Sequence, residues 1–517
     1  MMMKNVINKL VRRVFPTIWA LKYAFKYRKG KNKAISDSNG VVLLEFSYSL
    51  PVIECYRVIS DELLLRSEAS ELELFSYSDD RYDKYFSYFS VKYFLIYHLL
   101  GFKFNFSNLK LPSCASFRDL KEKFSSKQEL LGFKFDSIVI GDLIYDTYLR
   151  KKKVSTVDLS DEYLFYLVKI ACFMVTDVSR NLMRKNVKSV VCGDVAYIYS
   201  GVMARVAISK EIPCYCFDDR SGLIVRKMDE TYFRRAKYWN YKTEFQSLPN
   251  KAERIAQARS SIESRLAGSV ASLSYMGKSS FSAASKDNSV LDIISNNDKP
   301  TIVIMLHCFF DSPHIYRNAI FPDFYEWCNY LRGVIERTNY NWVIKPHPNG
   351  LAGNEEVIYA IFKNTRAFIL EPEVSNLDIV NSSPDLVLTV YGTVAHEFSY
   401  CGIPVLNAGD NPHIDYSFCI TAKNINEYDN YLLNLSVFFD FKIDKEDILE
   451  FYYMNYLSED CLSERCPSYP PADFIDEYKL NSLSPKERRL YYHYTDATFK
   501  YFLDNEVKSD VASIIER

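Results

Sequence analysis

The second half of the chain alternates short apolar runs with longer amphipathic stretches. TIVIML at 301–306, NWVIK at 341–345, AFIL at 367–370, DLVLTV at 385–390 and PVLNA at 404–408 each have the length and β-branched content of a buried strand. The segments between them hold one helix apiece, which is the βαβ pattern of a parallel sheet. The first half repeats the pattern more loosely. VVLLEF at 41–46 predicts a strand, followed by a polar turn and a helix through Leu65. FDSIVIGDLIYDTYLR at 135–150 predicts a second strand ending at Gly141-Asp142, and VKSVVCGD at 187–194 a third ending at Gly193-Asp194. A helix over 196–210 then leads into a strand at 212–217. Beyond Asp415, helices are expected at 423–435 and 444–456, then a turn at Pro467, Pro470 and Pro471, then a polar, aromatic helical region at 485–505.

A chain of 517 residues is too long for one ordinary core. The stretch 268–300, rich in Ser, Ala, Asn and Asp, reads as a linker. The expected architecture is therefore α/β, with one Rossmann-like domain over 40–290 (linker included), a second over 301–470 and a helical region at 471–517.

Charge changes the picture at one place. Sixty-four basic and 65 acidic side chains give a net charge of −1, so no global field marks a nucleic-acid binder. Residues 1–34, however, carry ten Lys and Arg and no acid, interleaved with Val6, Ile7, Leu10, Val11, Phe15, Trp19 and Phe25. This basic amphipathic segment, interrupted at Pro16, suits an anionic membrane surface as much as a docked arm. No uncharged apolar stretch of about 18 residues exists to span a bilayer. The 12 cysteines show no repeated CxxC pairing, and Cys172, Cys192, Cys214 and Cys216 read as small buried hydrophobes of a reducing compartment.

Five of the seven histidines, His307, His314, His347, His396 and His413, fall between Thr301 and Asp415, each just past an apolar run or in the turn or helix start that follows. Carboxyl ends of parallel strands line the ligand crevice, so this placement favours chemistry over packing. After the first run, His307, Asp311 and His314 crowd a loop shaped by Pro313. In WVIKPHPNG, Pro346 and Pro348 hold His347 on a stiff turn beside Lys345, where a protonated imidazole and an ammonium would meet a leaving phosphate. In LTVYGTVAHEFSYCGIPVLNAG, Gly392 permits close backbone approach, Thr393 opens a helix from Val394 to Cys401 whose amino end suits an anion, and Glu397 one turn in suits a ribose diol. In the first domain Glu45, Asp142, Asp146 and Asp194 stand at expected strand ends, as general bases, sugar-binding groups or helix caps.

The string Gly-Thr-x-x-His-Glu-x-x-x-x-Gly-Ile-Pro-Val at 392–405 resembles the nucleotide-sugar motif of GT-B glycosyltransferases. The preceding KPHP is similar to that of bacterial capsule and surface-polysaccharide transferases, including capsule Kdo transferases and teichoic-acid glycerophosphate polymerases. The resemblance covers about 300–420. It implies two Rossmann-like domains facing across a cleft, with C-terminal helices packing back on the first. The first domain would take the acceptor and the second the nucleotide sugar. By position it implies that Glu397 meets the ribose, Gly392 and Thr393 the phosphates, and His347 the donor phosphate. Lys345 and His396 belong to the same donor set, although a small residue is usual where His396 stands. No DxD metal motif is evident, which fits the metal-independent chemistry the resemblance implies, with no cofactor. Asp142, Glu45, Asp194, Asp311 and His314 are then the candidates for the base.

The function expected is transfer of a sugar from a nucleotide-sugar donor to a glycan or lipid-linked glycan at the inner face of the cytoplasmic membrane. A sugar-nucleotide 2-epimerase, a CDP-alditol phosphotransferase and a non-catalytic assembly partner are the alternatives.

Overall fold

The structure, a computed structural model, describes residues 25, 40–47, 50–67, 69–78, 96–108, 124–193, 195–218, 224–229, 238–268, 279–281, 298–348 and 350–458. The basic arm (Phe25 apart), Asp194, most of the linker and the helical region after 458 lie outside them. No helix among the described residues is long and apolar enough to cross a membrane.

The first domain opens with strand β1 (Gly40–Glu45), helix α1 (Leu50–Arg66), β2 (Ala69–Ser78) and β3 (Lys103–Asn108). Then come α2 (Lys127–Leu131), a hairpin of β4 (Lys134–Phe135) and β5 (Ile138–Val139), α3 (Gly141–Lys152) and α4 (Glu162–Arg184). β6 (Val187–Cys192), α5 (Ile198–Ser209), β7 (Cys214–Asp218) and β8 (Ile224–Lys227) complete it. The sheet runs β3-β2-β1-β6-β7-β8, parallel except for β8 at the edge. Helix α4 buries Leu164, Leu167, Val168, Ala171, Val175, Val178 and Leu182, a helical-period stripe, into a core shared with α3, α5 and the sheet.

One expected strand of the first domain is absent from that sheet. Asp136 and Ser137 both adopt left-handed backbone, with φ of 48° and 67°, so the run at 135–139 folds on itself as a two-residue hairpin. Gly141 then begins α3 pressed against the end of α2, where a Cβ would lie 1.8 Å from the Leu130 carbonyl oxygen. Asp142 and Asp146 thus sit on a helix, not at a strand end.

After β8 the chain forms a 3₁₀ turn (Tyr238–Asn240), α6 (Tyr241–Ser247) and α7 (Lys251–Leu266). The second sheet follows: β9 (Thr301–Met305), α8 (Phe324–Arg337), β10 (Asn341–Lys345), α9 (Asn354–Phe362), β11 (Phe368–Ile369), α10 (Asn376–Asn381) and β12 (Leu386–Thr389). It ends with α11 (Val394–Tyr400), β13 (Val405–Asn407), β14 (Ile420–Thr421), α12 (Ile425–Leu433), α13 (Ser436–Phe439), α14 (Lys445–Tyr452) and a π-helical turn (Tyr453–Leu457). All six strands are parallel in the order β11-β10-β9-β12-β13-β14, the doubly wound order of a dinucleotide-binding fold.

The expected boundary at 290 does not divide the cores. Tyr238, Tyr241, Phe245, Ala258 and Ile262 are buried with Val303, Val387, Phe398, Ile448 and Phe451, so 238–266 packs with the second sheet. Phe281, inside the expected linker, is buried in the same cluster.

Among the described residues the two domains meet along a seam. Tyr145 and Thr156 both donate to Asp323 at 2.5 Å, Lys127 pairs with Glu326 at 2.5 Å, and Tyr197 lies 3.3 Å from Asp311. Tyr197 follows β6 and Asp311 follows β9, so loops at the carboxyl ends of the two sheets touch. This is the GT-B arrangement: two Rossmann-like domains facing across a cleft.

Candidate functional site

In a sheet ordered 3-2-1-4-5-6 the winding reverses between the first and fourth strands, and the flanking loops part to leave a crevice. Here those strands are β9 and β12. The loop after β9 begins with His307, whose ring stacks on Phe324 at 4.5 Å and 8° and abuts Tyr391 at 4.7 Å. Its Nε2 lies 3.1 Å from the Thr389 hydroxyl at the end of β12. That hydroxyl also accepts from the Gly392 N–H at 3.2 Å. A Cβ on Gly392 would stand 2.8 Å from Thr389 Oγ1 and 3.5 Å from His307 Cε1, so the approach of these loops requires glycine there. Burial, and then the neighbouring His347, push His307 down to about 3, so its imidazole is neutral.

Asp311 extends the crevice toward the first domain, accepting from the Ser312 N–H at 3.0 Å while Tyr391 donates to the Ser312 carbonyl at 2.9 Å. His347, half-buried after β10, has its pKa lowered by burial and then by Lys345, with Asp311 opposing. The expected imidazolium is therefore corrected to a neutral ring at neutral pH. Lys345 is also reassigned. It is 2% exposed, and Nζ donates to the carbonyls of Pro372 at 2.6 Å and Pro346 at 3.1 Å, tying the ends of β10 and β11 together. Burial lowers it to about 8, with Glu373 opposing.

Thr393 is the N-cap of α11 and makes no side-chain cap bond. The next turn of that helix faces the core. His396 is 1% exposed and packs among Phe451, Tyr452 and Tyr456, with centroids 5.3 to 5.8 Å away. Glu397, also 1% exposed, is bound by Arg265 of α7 at 2.6 Å. Both were expected in the donor site, and both hold α11 to the helices beneath it. His413 belongs to the same core, stacked on Phe418 and 3.1 Å from Asn407, which donates to its Nε2.

The first-domain acids are similarly occupied. Both oxygens of Asp142 take the Arg205 guanidinium at 2.6 Å, and that cation outweighs burial to hold the carboxyl below its usual range. Glu45 accepts from the Gly193 N–H at 2.6 Å and from Ser200, clamping the loop after β6. Asp146 is different: it reaches across the seam to His314, with Oδ1 2.6 Å from Nδ1. The crevice thus brings together His307, Asp311, His347 and Gly392, with His314 farther along the same loop. It leaves Asp142, Glu45, His396 and Glu397 outside. Thr389, Tyr391 and Tyr197, absent from the sequence reading, are contributors. Thr389 had a faint signal, as a hydroxyl closing an otherwise apolar run.

No family model and no curated protein matches the chain. Among solved structures it is similar to the KpsC β-Kdo 2,4 transferase of Thermosulfurimonas dismutans, at 12% identity over 53% of this chain and 81% of that one, TM-score 0.34. The UDP-GlcNAc 2-epimerase of Neisseria meningitidis is similar at 10% identity over 80% of this chain and 97% of that one, TM-score 0.26. That of Methanocaldococcus jannaschii is similar at 12% identity over 79% and 97%, TM-score 0.26.

Proposed function

We propose that the protein is a glycosyltransferase that moves a sugar from a nucleotide-sugar donor to a growing, lipid-linked bacterial surface polysaccharide of the capsule or O-antigen type. The observation that carries this reading is the placement of His307 beside Gly392 where the second sheet reverses its winding, with His347 of the neighbouring strand end near enough to feel both His307 and Asp311, opposite a second Rossmann-like sheet. Neutral His347 offers a hydrogen-bonding nitrogen to the departing phosphate, and Lys345 supplies its field from beneath the loop. In this reading that charge is met by fixed protein groups rather than by a metal ion. The basic segment at 1–34 supports an acceptor at the inner face of the cytoplasmic membrane.

The test is nucleotide release from CMP-, UDP-, GDP- and CDP-linked sugars, with and without a glycolipid acceptor extracted from bacterial membranes. Release from one donor that depends on the acceptor is expected. Acceptor-independent release points to epimerase-type chemistry, and no release from any donor ends the reading.

A further inference from the structure

The seam between the domains is held by polar groups. Beside the bonds of Tyr145 and Thr156 to Asp323, of Lys127 to Glu326 and of Tyr197 to Asp311, it contains a histidine and a carboxylate facing each other across the boundary. His314 presents Nδ1 to Asp146 Oδ1 at 2.6 Å, its backbone N–H lies 3.3 Å from Oδ2, and Tyr145 meets the ring edge-on at 5.1 Å. Asp146 is 1% exposed, so the pair is shut away from water while the domains touch. The other ring nitrogen, Nε2, is sealed as well and has no hydrogen-bond partner among the described residues. An apolar seam loses by meeting water. Here parting the domains would return water to Nε2 and to the carboxylates of Asp146 and Asp323, which offsets the bonds broken. Polar boundaries of this kind between domains are made and unmade rather than fixed.

We propose that the seam is a proton-operated latch, fastened while the His314–Asp146 pair keeps its protons and released as the pair gives them up. Asp146 and Tyr145 stand on α3 of the first domain. His314 stands on the loop after β9, seven residues beyond His307 and three beyond Asp311. The state of the latch therefore sets how the first domain sits against the loop that borders the crevice.

The groups around the pair give the sign. On α3 they are Tyr145 and Asp142, the latter held by Arg205 of α5; Asp323 opens α8 with Lys127 of α2 3.9 Å away; Tyr391 comes from the loop after β12. Burial pulls His314 down, but Asp146, Asp142 and Asp323 together outweigh it and raise its pKa above 6.5. Burial pushes Asp146 up to about 6 against the pull of His314. With the domains apart both groups meet water and titrate at ordinary values, about 6.5 for the imidazole and about 4 for the carboxyl. The closed seam thus binds more protons than the open one. Closure is favoured in acid, and the advantage is lost as pH rises through about 6 and on through the raised pKa of His314, each unit of upward shift being worth about tenfold in the closing equilibrium.

The experiment follows the full chain by small-angle scattering and by hydrogen exchange, corrected for the intrinsic effect of pH, from about pH 5.5 to 9. It compares wild type, Asp146→Asn and the double variant Asp146→Asn with His314→Gln. In wild type the radius of gyration should grow with pH, and peptides from 141–156 and 311–326 should lose protection while the strands of both sheets keep theirs. Asp146→Asn should move the transition to lower pH, because the carboxylate that favours the imidazolium is gone. The double variant has neither group left to titrate and should show no transition. Dimensions and seam protection that stay constant in wild type overturn the latch, as does a transition that survives unaltered in the double variant. Should neither variant fold, the wild-type peptides still decide, since protection lost throughout both sheets instead of at the seam also overturns it. The readout needs no nucleotide or sugar, so its outcome is separate from that of the transfer reading.

Discussion

Glu397 and Arg265 show how burial decides what a charged side chain does. With 1% and 8% of their surfaces exposed and 2.6 Å between them, neither ion can be stranded cheaply. Glu397→Ala should cost about 3–5 kcal/mol in a urea titration, because Arg265 remains buried without its counter-charge. Replacing both, as Arg265→Met with Glu397→Leu, should recover most of that loss. Histidine burial has a matching consequence in acid. His413 is held down to about 3 by burial, so the folded state binds fewer protons than the unfolded state, whose His titrates near 6.5. Stability is thus full above about pH 6.5 and lost as pH falls toward the folded pKa, by on the order of 2 kcal/mol at pH 5 for this one residue. His413→Gln, which keeps an acceptor for Asn407, should flatten the stability slope between pH 5 and 6.5 by about one proton. The strings around these residues were legible as strand ends and a helix start, whereas the faces of the helix were not. Gly392 and His396 are four residues apart, yet one lies against His307 and the other in the core, because α14 and the turn after it, with α7 beside them, cover that side of α11. Nothing in 392–405 tells that 251–266 will lie against it.

At the scale of elements, the central strands β9, β10 and β12 of the second sheet were readable because they are buried along almost their whole length and so appear as apolar runs. The first sheet hid β2. Its Glu71 and Glu73 interrupt the apolar pattern, and they are tolerated because Lys103 and Lys185 come to meet them. The hairpin at 134–139 hid for the opposite reason, since its apolar residues suggest a strand while Asp136 and Ser137 turn the chain back. Asn-Gly is the pair best suited to left-handed backbone at two successive positions. Asp136→Asn with Ser137→Gly should therefore leave the fold intact and raise stability by a few tenths to about 1 kcal/mol, read as a shift in urea midpoint. Gly141→Ala should do the reverse, because its methyl group would enter the Leu130 carbonyl. A midpoint unchanged by Gly141→Ala would mean that α2 and α3 do not pack as described.

For the whole molecule, the dividing line between cores falls before Tyr238 and not at the Ser-rich stretch. A fragment beginning at residue 236 and running to the C-terminus should unfold cooperatively in a calorimeter. One beginning at 300 should expose the faces that α6 and α7 cover, and should aggregate or bind ANS. Equal stability of the two fragments would move the boundary back to the linker. The same arrangement orders events during synthesis. Tyr241, Phe245 and Ile262 leave the ribosome about 190–210 residues before Phe451 and Tyr452, against which their helices are packed. At elongation rates of about 5–20 residues per second, this amounts to roughly 10–40 s. Through that interval the nascent chain carries two amphipathic helices whose partners have not yet been made, tethered behind a first domain already free to fold.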